Sequence, residues 1–101
     1  MPIPLTEETA RRVARLFPSA DRDLVSTLLV EQCGDNLPLV DTAAGIERIR
    51  VAALKVSGGD LNALQRAITL AKQDWRDLLM AAGFGHDASA HKSWWPESPH
   101  S

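Results

Sequence analysis

The sequence predicts an all-α fold: a single small bundle of five or six short helices with an extended C-terminal tail. Three observations lead there. Apolar residues recur at helical spacing in one segment after another. Helix-capping residues bracket those segments. Strand signals are missing, with no tyrosine, no sustained apolar–polar alternation and no Asn-Gly hairpin turn. At 101 residues, 45% apolar and 24% charged, the chain is long enough for one core and is not composed like a disordered chain. The helical domain is expected over residues 1–85 and the tail over 86–101.

Thr6 is placed to cap a first helix running through Phe17, with Glu7 and Glu8 in the first turn, where the helix end is positive. Ala10, Val13, Ala14 and Phe17 form its apolar stripe, and Pro18 stops it. Ser19 or Asp21 caps a second helix with Leu24, Val25, Leu28 and Leu29 as core face and Gly34 as a left-handed end residue. In DNLPLVDTAAG, Asp35 is one possible cap and Asp41 or Thr42 another; the favoured pattern is a short helix broken near Gly45. Ile46, Ile49, Ala53 and Val56 mark the next helix, and Val51, Ala52 and Leu54 make its other side apolar as well. A helix apolar on two faces belongs between neighbours, so this one should be central.

Gly58-Gly59 ends that helix and Asp60 caps the following one, whose face is Leu61, Leu64, Ile68 and Ala71. Asp74 is the N-cap of the last helix, Asp77 takes the capping-box position, and Trp75, Leu78, Leu79 and Ala82 form the stripe. Gly83 suits the left-handed end position, with Phe84 folding back on Leu79. The second Gly-Asp pair, at 59-60 after 34-35, is read as ordinary helix punctuation and not as a repeat.

One stretch carries a family resemblance. Leu16-Phe17-Pro18, the apolar helix of Leu24, Val25, Leu28 and Leu29, then Gly34-Asp35 and Leu39-Val40 resemble a CUE module over about residues 10–44. That family is a three-helix ubiquitin-binding fold related to UBA domains, so the resemblance implies a CUE-like or UBA-like arrangement. Leu16 stands where the family has Met, and Asp41-Thr42-Ala43-Ala44 stands where its Leu-Leu pair falls. Half of the ubiquitin-contacting set is thus replaced, and ubiquitin is not the expected partner. The second half, LKVSGGDLNALQRAITLAKQDWRDLLMAAGFG, is similar to small bacterial proteins of unassigned role and implies no chemistry.

Several chemistries find no support. Cys33, the one cysteine, cannot form an internal disulfide, and with apolar neighbours it reads as a small buried hydrophobe. No GxxxxGK or GxGxxG phosphate loop occurs. The acid pairs Asp21/Asp23 and Asp74/Asp77 suit helix starts. His86, Asp87 and His91, with His100 beyond, lie on the tail without a cysteine and are not read as a metal site. No catalytic residue, cofactor or metal is therefore expected, and the chain is not read as an enzyme.

Net charge is −2, which gives no general pull toward nucleic acid, and Arg11, Arg12 and Arg15 read as a solvated basic patch. The N-terminus MPIPLTEETARR lacks a secretory pattern, and no apolar run approaches the roughly 18 residues of a membrane span. A cytoplasmic setting is the expectation. The function expected is a non-enzymatic protein-interaction or structural module whose partner is another protein or a second copy of the chain. The partner-binding candidates are Phe17, Pro18, Trp94 and Trp95. Large aromatics are costly to leave in water, so Trp94 and Trp95 are expected to dock, their rings on different sides because Pro96 favours an extended residue before it. The alternative is a small helix-turn-helix-like DNA-binding regulator built on the junction at Gly58-Gly59-Asp60.

Overall fold

The computed structural model describes residues 3–34, 42–85 and 89–96. Within them the chain is all-helical: α1 Glu7–Leu16, α2 Ser19–Gln32, α3 Ala43–Ser57, α4 Leu61–Ala82 and a single turn, α5 Ala90–Ser93. No strand occurs among the described residues.

The helix ends follow from local chemistry. The Thr6 hydroxyl accepts from the Thr9 amide at 3.1 Å, and Thr42 does the same for Gly45 at 3.0 Å. The helix expected to break near Gly45 therefore runs straight through it, because Gly45 sits in the first turn, tied to its cap. Residues 35–41, where the short helix was expected, lie outside the described residues, as does the Leu39-Val40 part of the CUE-like pattern. Asp60 caps α4 by accepting from the Asn62 amide at 3.2 Å. Inside α4, Asp74 is non-helical (φ −156°, ψ 93°) and its carboxylate accepts from the Arg76 amide at 3.1 Å. The two helices expected at Asp60 and Asp74 thus exist, joined end to end across a kink. At the far end Gly83 is left-handed, the Phe84 amide donates to Leu79 at 2.8 Å and the Gly83 amide to Met80 at 3.0 Å. Those two bonds are the Schellman pattern, and Phe84 folds into the core.

α3 is the central element and packs against α4, α1 and α5. Ile46 and Ile49 are buried, and so are the consecutive residues Val51, Ala52, Ala53 and Leu54, as its two-faced composition predicts. Against it α4 supplies Leu64, Ala67, Ile68, Ala71, Leu78 and Leu79. The junction between them demands glycine at one position in particular. A β-carbon on Gly59, at φ +90°, would sit 2.7 Å from the backbone oxygen of Leu16, so the α3–α4 corner rests directly on the end of α1.

α2 meets the core through Val25, Leu29 and Cys33. Leu28 is only half-buried, and Leu24, expected inside, is 46% exposed. The core face of α2, set against α1 and α4, is narrower than its run of leucines. Pro18 stands at its N-cap position without a side-chain capping bond, so neither Ser19 nor Asp21 is the cap. Gly34 is not left-handed. Its missing side chain matters for another reason: a β-carbon there would lie 2.9 Å from the guanidinium of Arg50.

Arg50, on α3, is almost fully buried. Its Nε donates to the Cys33 carbonyl at 2.7 Å, and its two terminal nitrogens donate to Pro4 at 3.1 Å and Ile3 at 2.7 Å. One side chain thereby ties the end of α2 and the N-terminal segment to the central helix.

The two leucines of α2 give a direct check. Leu29→Ala is expected to cost about 2 to 5 kcal/mol in denaturant unfolding, since it empties a closed site. Leu24→Ala should change stability by about 0.5 kcal/mol or less.

Candidate functional site

The inward side of α1 keeps Val13 and Phe17 buried as expected but is otherwise polar. Ala10 and Ala14 face solvent, while Thr9 and Arg12 are buried beside Val13. Each buried polar group has a distant partner, as burial demands. The Thr9 hydroxyl donates to the Glu47 carboxylate on α3. Arg12, 2% exposed, donates from Nε to the Trp94 carbonyl at 3.0 Å and from a terminal nitrogen to His91 at 3.1 Å and Lys92 at 3.3 Å. Those oxygens sit at the end of α5, where helix carbonyls lack partners within the helix.

The tail is therefore clasped onto α1. Over Ala90–Ser93 it is a helical turn and not extended, with Trp94 extended after it (φ −83°, ψ 131°). Trp94 packs against the hydrophobic core, and Pro96 is buried. The Trp95 ring goes elsewhere: the Arg12 guanidinium lies 4.2 Å and that of Arg15 5.1 Å from its centroid. Trp95 stays partly exposed, so an indole framed by arginines faces outward on a fixed piece of backbone.

Next to the clasp, Glu8, Arg12, Glu47, His91 and Lys92 line a cleft of about 340 Å³. His91 is 4% exposed, stands edge-on to Phe84 with ring centroids 6.5 Å apart, and its buried Nδ1 has no hydrogen-bond partner among the described residues. Burial holds the imidazole below its ordinary pKa; Glu47 opposes this, and Arg12, Lys92 and Arg48 reinforce it. Burial also lowers the Arg12 guanidinium, against the pull of Glu47 and Glu8. A guanidinium starts so high that it remains charged at neutral pH.

The other sequence candidates fall in different places. Phe17 is 2% exposed and stands in the core, its carbonyl accepting from Arg22 at 3.1 Å. Pro18 is exposed at the corner between α1 and α2. Cys33 is buried, and burial pushes its thiol up to about 12. His86, Asp87 and His100 lie outside the described residues, and among those described no group of three or more His, Cys, Asp or Glu could hold a metal ion. No helix among the described residues is long and apolar enough to cross a membrane. Arg12 is the member that sequence reading missed. It looks like one of three surface arginines, and its partners lie about eighty residues on in the chain.

Breaking the clasp should be measurable. Arg12→Ala is expected to lower unfolding free energy on the order of 2 to 3 kcal/mol, the scale of a hydrogen bond from a charged donor. The melting temperature should fall at every protein concentration, since the contact is within one chain. Truncation after Asp87 should cost more, since it also removes the packing of Trp94. Adding Arg12→Ala to the truncated chain should cost little further, because the acceptors of Arg12 are already gone.

No family model, curated protein or solved structure matches the chain.

Proposed function

We propose that the chain is a non-enzymatic protein-interaction module that meets its partner through the face formed by α1 and the clasped tail. The observation that carries this reading is Trp95, held partly exposed beneath the Arg12 and Arg15 guanidiniums. Trp and Arg are the side chains most enriched where binding energy concentrates. Fixing the tail before contact also lowers the entropy lost on association, and three hydrogen bonds from Arg12 do that here. Arg15, exposed beside the indole, adds positive charge there, which favours a partner with acidic groups around an apolar contact. The non-enzymatic reading is supported by a thiol buried in the core and by the engagement of Glu47 with Thr9 and of Arg12 with the tail carbonyls. Ubiquitin is not the partner proposed, since Phe17 is turned into the core.

The test uses the intact chain immobilised as bait in extract from the source cell. Trp95→Ala and Arg15→Ala should each weaken capture of the same protein by tenfold or more, while Arg66→Ala on α4 leaves it unchanged. Capture insensitive to both substitutions on the α1–tail face, or no specific capture at all, would sink the proposal.

A second reading, a small DNA-binding regulator, draws on an open groove along α4 lined by Asn62, Gln65, Arg66, Thr69 and Gln73. Amides and a hydroxyl can read base edges, but the lining holds one cation, and phosphate contacts supply most DNA affinity. Binding to duplex DNA at physiological salt is accordingly expected to be weak and indifferent to sequence in a gel-shift assay. A shift that selects a sequence, survives added salt and disappears in Arg66→Ala would favour the regulator instead.

A further inference from the structure

We propose that the clasp is a pH-sensitive latch: mild acidification releases the Ala90–Pro96 tail from α1, with His91 as the trigger. This goes beyond the contact reading, because the latch is a property of the chain alone and holds whether or not a partner uses Trp95.

The geometry places the trigger at the one point where tail, α1 and α3 meet. His91 is buried, and its own carbonyl is one of the three oxygens that Arg12 holds. Charged groups face it from three elements among the described residues. From α1 come Arg12 and Glu8, from α3 Glu47 and Arg48, and from its own turn Lys92. Lys55 lies 4.9 Å from the Phe84 ring against which the imidazole packs. Among the described residues, two carboxylates thus stand against three basic groups around a ring that burial keeps neutral, and Glu47 is already engaged by Thr9. The unpartnered Nδ1 gives an added proton no acceptor among the described residues. A proton arriving on His91 would create a second buried cation beside Arg12, with no acceptor at Nδ1 among the described residues. The released tail has water for that purpose.

The direction of the pH dependence follows. His91 is held below its ordinary pKa when docked and regains the ordinary value, near 6.5, when released. Above that pH neither form carries the proton and docking is at full strength. Below it the released form binds a proton that the docked form refuses. The docking equilibrium then falls by up to about tenfold per pH unit, until the docked imidazole itself protonates.

The experiment uses the full chain with Trp75→Phe, so that emission comes from Trp94 and Trp95. Between pH 7.5 and 5.0 the emission should shift to the red with a midpoint below 6.5, toward the spectrum of an Arg12→Met variant, while far-ultraviolet circular dichroism keeps its helical signal. His91→Gln, which cannot take up the proton, should flatten the transition. In parallel, NMR titration of the unsubstituted chain should show the docked His91 ring still neutral where an exposed histidine is half-protonated. This keeps the test sound even if His91→Gln is already released at pH 7.5. A His91 ring titrating at 6.5 or above while the tail stays docked would overturn the latch. So would a pH transition of unchanged size in His91→Gln when that variant is docked at pH 7.5.

Discussion

Burial of α3 on more than one side is the constraint from which the rest of the arrangement follows. Four consecutive residues, Val51 to Leu54, lose their contact with water, and no single neighbour can cover four successive directions around a helix. α4 takes one side along its length, α1 another, and α5 closes a further part. The alanines at 52 and 53 matter as much as the larger residues, because small side chains set how near a neighbouring axis can come. The left-handed turn at Gly58-Gly59 sends α4 back along α3, and the same turn lies against the carbonyl of Leu16. One corner therefore fixes the orientation of three helices.

Beside such a core, the segment before α1 and the short α5 turn after α4 are held by buried arginines. Arg50 holds Ile3 and Pro4; Arg12 holds His91, Lys92 and Trp94. A guanidinium suits this work because its five donors lie in one plane and can reach several carbonyls at once. Lysine, with a compact head and three donors, would not reproduce the fork. Holding backbone oxygens also makes the clasps tolerant of sequence in the tail, while the side chains of Trp94 and Trp95 remain free for packing and for display.

Local features of the fold were legible in the sequence; long-range polar contacts were not. The Asp74 cap, the Gly83–Phe84 ending of α4 and the central place of α3 each depend on neighbours within a few positions, so spacing alone reveals them. The inward face of α1 did not, because apolar periodicity chose Ala10 and Ala14 over Thr9 and Arg12. A polar side chain can occupy a core only when its partner is known, and here the partners are Glu47 and the tail carbonyls. Gly34 shows the same limit: a helix-end role is a fair expectation for glycine, yet what counts is room for Arg50. Leu24 shows how an apolar run overstates a core, since it lies on the exposed side of its helix. At the candidate site, docking of Trp94 was foreseeable from the cost of a wet indole, whereas the residue that performs the docking was hidden among three arginines.

The distance along the chain between Arg12 and its acceptors has a consequence for how the molecule comes together. α3 and α4 are joined by a few residues and can pair soon after both exist, since closing a short loop costs little chain entropy. Arg50 reaches back 46 and 47 residues to its acceptors at the N-terminus. Arg12 has to wait for carbonyls 79 to 82 residues downstream. During synthesis on the ribosome it is made well before the carbonyls that satisfy it. Until then its charge stays hydrated on an unfinished face of α1, and the strip that Trp94 will cover stays open to water. A stretch made well after α1 thus seals it, and a chain that stopped short of residue 91 would fold around a seam it had no means to close.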